Sequence, residues 1–153
     1  MEPLRTRLKE TLDQNLKNRD EIATSTIRLI LAAIKDHDIQ NRTKKESSDI
    51  SDEEILFLLQ KMIKQRQESV EIYSKAGRSD LKKREEKEID IINSFLPQQI
   101  KHDDLENIVS DAIKELDCKS IKDLGKLMNF LKEKFPGQLD MKEVAIMAKK
   151  NLK

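Results

Sequence analysis

Behind Pro3, leucines at positions 4, 8, 12 and 16 recur at four-residue steps. That period describes one face of an α-helix, and proline suits the first helical position. A polar break at Asn18-Arg19-Asp20 leads into a second helix of about twenty residues. Its apolar stripe is Ile27, Ile30, Leu31 and Ile34, with Arg28, Lys35, Asp36 and Asp38 assigned to the solvated face. The pattern lapses into a polar loop from roughly Thr43 to Ile50. Ser51-Asp52-Glu53-Glu54 then has the form of a capping box, in which the Ser51 hydroxyl accepts the Glu54 amide and Glu54 reaches back. The third helix it opens runs to about Ala76, with Ile55, Leu59, Met62, Ile63, Val70 and Tyr73 on one side. Arg66 falls within that stripe, so it either snorkels to the edge or pairs with an acid from a neighbouring helix. Gly77 supplies a left-handed cap, and Ser79 is expected to cap a fourth helix bearing Leu81, Ile89, Ile92 and Phe95.

Pro97 cannot continue that helix, which makes Leu96-Pro97 the candidate domain boundary. Three shorter helices follow. Asp103 begins the first, with Leu105, Ile108, Val109, Ala112 and Leu116 buried. Ser120-Ile121-Lys122-Asp123 opens the second, with Leu124, Leu127, Met128 and Leu131; Pro136-Gly137 ends it. Asp140 opens the last, which buries Val144, Ala148 and Leu152. No segment alternates with period two. The pattern predicts an all-α chain: an N-terminal bundle of four helices over residues 1–96, then a smaller C-terminal unit of three short helices over 97–153.

Composition agrees with long helices that carry narrow apolar stripes. Charged residues make up 39% of the 153, against roughly a quarter in an average domain, and Gly and Pro number three each. Only five aromatics are present, too few for a single-strand binder built on base stacking. The net charge of +1 is uninformative, but its distribution is not: residues 119–153 hold nine lysines and four acids, a net of +5. Such a segment is either a solvated lysine face or a contact for an acidic partner such as RNA. Cys118 is the sole cysteine, so no disulfide framework or cysteine zinc cluster is expected. No apolar run approaches the ~18 residues a membrane span needs. The N-terminus lacks the layout of a signal peptide. On these grounds the chain is expected to be soluble and cytoplasmic, with no membrane partner.

The common catalytic arrangements are absent from the sequence. Gly77, Gly125 and Gly137 are scattered, so no phosphate loop forms. Neither His37 nor His102 has a carboxylate three residues ahead of it, as bundle metal sites require. Both read as exposed polar residues or cap neighbours, and Cys118 as a spare thiol. Glu85, Glu86 and Glu88 alternate with Lys82, Lys83, Arg84 and Lys87, the mark of an ion-paired helix face. No catalytic residue, metal or cofactor is expected. Gly125 sits mid-helix in this reading, where glycine costs about 1 kcal/mol relative to alanine. Close packing against another helix is the preferred explanation, and close approach of a ligand backbone the other.

The ordered set Ala76-Gly77-Arg78-Ser79-Asp80-Leu81, Glu88-Ile89, Leu96-Pro97, Asp123-Leu124-Gly125-Lys126-Leu127-Met128 and Gly137-Gln138-Leu139-Asp140 resembles the YqeY pattern. The likeness runs the length of the chain. It implies two helical units, and a kinship with the C-terminal tail of the tRNA-dependent amidotransferase B subunit. That enzyme converts misacylated Glu-tRNA or Asp-tRNA to the amide, with glutamine as nitrogen donor. Its tail helps hold the tRNA while the chemistry lies elsewhere. The associated label, carbon–nitrogen ligase with glutamine as amido-N-donor, then belongs to the larger protein. The resemblance, with the +5 segment, leads to the expectation of a non-catalytic, tRNA-contacting accessory module. Lys122, Lys126, Lys149 and Lys150 would meet phosphate, and Gly125 would allow close approach. The alternatives are a protein-interaction module, with a partner from the translation machinery and no RNA role, and a small amidotransferase in its own right.

Overall fold

The hydrophobic stripes fold into seven α-helices, and no strand occurs among the described residues. The structure, a computed structural model, describes residues 2–43 and 49–152. Most of the polar loop expected between Thr43 and Ile50 therefore lies outside the described residues. The helices are α1 (Leu4–Lys17), α2 (Glu21–Thr43), α3 (Asp52–Lys75), α4 (Ser79–Asn93), α5 (His102–Glu115), α6 (Leu124–Lys134) and α7 (Met141–Asn151). A 3-10 turn, Ile121–Asp123, precedes α6. The chain divides into two compact units, Met1–Leu96 and Pro97–Lys153.

In the N-terminal unit, Leu8 of α1, Ile27, Ile30 and Ile34 of α2, Ile55 and Leu59 of α3 and Ile92 of α4 are sealed from water. Each such side chain contributes on the order of 1.5–3 kcal/mol of transfer free energy. Leu16 departs from its stripe: it is 46% exposed, because the last turn of α1 runs past the core. The Ser51–Glu54 capping box forms at α3. At α4 the cap position is Arg78 and no side chain bonds it; Ser79, expected as the cap, is the first helical residue.

Asp38 corrects the sequence reading. It lies one turn beyond Ile34 on the same stripe, and it is buried rather than solvated. Arg5 of α1 donates both guanidinium nitrogens to it at 2.8 Å, and the Ile50 amide donates a third bond at 2.9 Å. The Ile50 carbonyl in turn accepts from Arg5 at 3.0 Å, so the cluster ties α1, α2 and the approach to α3 together. The Arg5 guanidinium, foremost, holds the Asp38 carboxyl below its usual range.

Arg66 resolves the other charge inside a stripe. It pairs with Glu88 of α4 at 3.2 Å, with both side chains nearly buried. Past this pair, no residue from 64 to 87 is buried. There α3 and α4 form a two-helix arm that packs only through half-buried groups such as Val70, Tyr73, Leu81 and Glu85. The arm turns at Gly77, whose φ of 69° lets its amide reach Ser74 and the next amide reach Tyr73, a Schellman closure. The same closure ends α1 at Arg19 (φ 55°) and α5 at Asp117 (φ 53°) without a glycine.

The C-terminal unit is built round Leu105, Val109, Leu127, Leu131, Leu139, Val144, Ala148 and Leu152. Backbone pairing fixes its first segment. The Ile100 amide donates to the Gln138 carbonyl at 3.0 Å, and the Gln99 side-chain amide donates to the Gly137 carbonyl at 2.6 Å. Asp140 caps α7 by accepting the Lys142 and Glu143 amides.

Candidate functional site

Three of the residues assigned to phosphate contact come together at the start of α6. Ser120 and Asp123 form a capping box, but around the 3-10 turn rather than the α-helix. Asp123 accepts the Lys119 amide at 2.9 Å and the Ser120 amide at 3.4 Å. These two amides chiefly, with the charges of Lys126 and Lys119 behind them, lower its carboxyl below the ordinary range. Lys122 stands exposed on the turn, Gly125 is the second residue of α6, and Lys126 is exposed one residue later. The Lys126 ammonium lies 3.4 Å from the Leu116 carbonyl, at the negative end of the α5 dipole.

The intervening 3-10 turn moves Gly125 from the expected mid-helix position to the first turn of α6. A Cβ built there meets nothing within 4 Å. Close helix packing, the explanation preferred from sequence, is therefore excluded, and the backbone at Gly125 faces open space. Lys149 and Lys150 stand apart on a different element, the exposed last turn of α7. Among the described residues Lys122, Lys149 and Lys150 make no ion pair. Lys134, by contrast, is engaged: it lies 3.8 Å from Glu115 and over the rings of Phe130 and Phe135.

Lys150 also lines a groove of about 580 Å³ between α5 and α7. At one end His102 stands between two carboxylates, 3.8 Å from Glu106 and 3.7 Å from Glu143. Its wall carries Ile146, an apolar side chain left 52% exposed. Sequence reasoning missed this groove, because α7 was read only for its buried stripe. The signal was present in the spacing of Glu143, Ile146 and Lys150, which share a second face. Cys118 is half-buried against the core of the unit. Among the described residues no three His, Cys, Asp or Glu side chains converge as a metal site, and no helix is long and apolar enough to cross a membrane.

The family described as Yqey-like protein matches residues 5–152, nearly the full length. The chain belongs to the YqeY family. This YqeY chain is 33% identical over 138 residues to altered inheritance of mitochondria protein 41, mitochondrial, of Vanderwaltozyma polyspora, covering 90% of the chain and 64% of that relative. The protein of the same name from Lachancea thermotolerans is 37% identical over 91 residues, 60% of the chain and 46% of the relative. An uncharacterized protein of Schizosaccharomyces pombe is 30% identical over 91 residues, 60% of the chain and 70% of the relative. The YqeY chain thus spans from about half to just under two thirds of the relatives of the first kind. Their names correct the cytoplasmic expectation, since four such relatives are mitochondrial by name. The reason is physical: targeting segments are read apart from the folded domain, so the composition of a helical domain does not record its compartment.

Proposed function

We propose that this YqeY chain is a non-catalytic accessory module that contacts tRNA through its C-terminal unit. The observation that carries the reading is the surface at the start of α6. Lys122 and Lys126 are exposed there on either side of Gly125, and open space lies over the Gly125 backbone. Two ammonium groups flanking an uncovered backbone suit a phosphate chain, which approaches where no Cβ intervenes. Lys149 and Lys150 supply further positive charge from α7. The shortage of aromatics directs such contact to the shape and phosphates of folded RNA rather than to stacked bases. The likeness to the amidotransferase tail names tRNA as the RNA to try first.

The test is an anisotropy titration of labelled tRNA across a salt series, with mRNA fragments and duplex DNA as competitors. Preferential binding to tRNA that weakens steeply with salt is expected. The double variant Lys122→Glu/Lys126→Glu should lower the salt slope by about 1.4–1.8, one increment for each phosphate no longer neutralised. Gly125→Ala should leave the fold intact, since its Cβ has room, and still weaken binding. Absence of tRNA binding at low salt would reduce these lysines to a solvated face, and the groove between α5 and α7 would then favour the protein-interaction reading.

A further inference from the structure

The groove between α5 and α7 has a symmetry in its chemistry. On α7, Glu143, Ile146, Met147 and Lys150 follow at i, i+3, i+4 and i+7 and line the groove from one helical face. The acid stands at one end and the ammonium at the other, seven residues or roughly 10 Å apart along the axis. Ile146, 52% exposed, and Met147, whose side chain belongs largely to the core, occupy the midpoint between them. Glu106 of α5 reinforces the acidic end, since His102 lies within 4 Å of both carboxylates at 3.8 and 3.7 Å. At the other end Lys150 has no ion-pair partner among the described residues. Ile146 is half exposed although polar groups flank it on both sides.

We propose that this groove is a self-association surface, on which a second copy of the chain packs α7 against α7 in antiparallel fashion. The two-fold axis passes between Ile146 and Met147. Rotation about it carries position 143 onto 150 and position 146 onto 147. Glu143 of each copy therefore faces Lys150 of the other, and the exposed Ile146 side chains of the two copies meet beside the axis. A face whose charges reverse about an apolar midpoint is complementary to itself, the requirement of an isologous contact. The apolar centre supplies the attraction, and the two rim pairs fix the register and make the association sensitive to salt. The occupant is a second copy rather than an unrelated helix because the spacing of charge and apolar groups matches its own reversal. Self-association of this kind does not depend on RNA binding. If the chain also binds tRNA, the RNA and the second copy compete for Lys150.

Sedimentation velocity of the full chain, without RNA, over a concentration series at low and high salt tests this directly. A monomer–dimer equilibrium that shifts to monomer as salt rises is expected. Glu143→Lys and Lys150→Glu each place like charges opposite one another and should raise the dimer Kd by roughly tenfold or more. The double variant Glu143→Lys/Lys150→Glu recreates both pairs with signs exchanged and should return the Kd to near the parent value. Ile146→Glu, at an exposed position, should abolish the dimer while leaving the melting curve unchanged. A monomer at all concentrations in low salt would overturn the proposal. So would a double variant that melts like the parent and still fails to associate.

Discussion

In the N-terminal unit two ion pairs lie against the core, Arg5–Asp38 at 2.8 Å and Arg66–Glu88 at 3.2 Å, with both acids buried. In the C-terminal unit the pairs His102–Glu106, His102–Glu143, Lys119–Asp117 and Lys134–Glu115 sit at the surface, every partner at least 46% exposed. Backbone hydrogen bonds and caps from Gln99, Asp123 and Asp140 do the tying there instead. The difference matters because a buried pair is costly to break, whereas an exposed one contributes little. The buried charge of the first unit is committed to the fold, although that unit also carries exposed pairs such as Lys75–Glu71 and Arg78–Asp80. Charge in the second is available to a partner, and that unit is where the RNA and second-copy surfaces are proposed.

The largest expected effect is that of Asp38→Ala, which strands the Arg5 guanidinium and the Ile50 amide. It should destabilise the N-terminal unit by about 2–3 kcal/mol in urea unfolding, less than for a fully buried pair because Arg5 is 31% exposed, while amide exchange in the C-terminal unit stays unchanged. A matching loss of protection in both units would erase the contrast between them. The same carboxylate sets an acid response. Its folded pKa is depressed, so its stabilisation is complete above its unfolded value near 3.9 and is lost as pH falls through the folded value. Unfolding curves collected downward from about pH 5 should show the N-terminal unit weakening below about pH 4, and Asp38→Ala should remove that dependence.

Gln99→Ala is next in size. It removes the bonds to the Gly137 and Pro97 carbonyls and should cost the C-terminal unit about 1 kcal/mol, read from its own melting transition. No effect would mean that the Ile100–Gln138 backbone bond suffices to hold the segment. The smallest pair compares the units through the same motif. Arg19→Gly and Asp117→Gly each relieve a left-handed residue at a helix end and should stabilise by about 0.5–1 kcal/mol, with the lesser gain at Asp117, since Asp tolerates that conformation better. Equal melting shifts in the two variants would show that side-chain type is irrelevant at these turns.

Where the sequence was legible, the reason was periodicity. The stripes of α2, α5 and α7 placed Ile27, Ile30, Val109 and Val144 in cores without knowledge of any neighbour. Residues whose position depends on a distant partner were harder. Asp38 continues the stripe of Ile34, yet its chemistry argued for solvent; Arg5, 33 residues away, and the Ile50 amide make its burial tolerable. Gly125 was misplaced for a local reason. The Ser120–Asp123 box is common to a 3-10 turn and an α-helix start, so the sequence did not say which would follow. The lysines named for phosphate contact could be read as exposed. Their division between the start of α6 and the end of α7 required the fold.

The Arg66–Glu88 pair marks the place where the N-terminal core stops and the α3–α4 arm goes on alone. Since nothing buried depends on the arm, its length is a free variable of the fold. Adding or deleting about seven residues in each helix, two turns, preserves the facing positions. A lineage can lengthen or shorten the arm by such paired steps without repacking Leu8, Ile27 or Ile92. The exposed turn at Gly77 is likewise a point where a tag or a foreign loop enters the chain without touching a core residue.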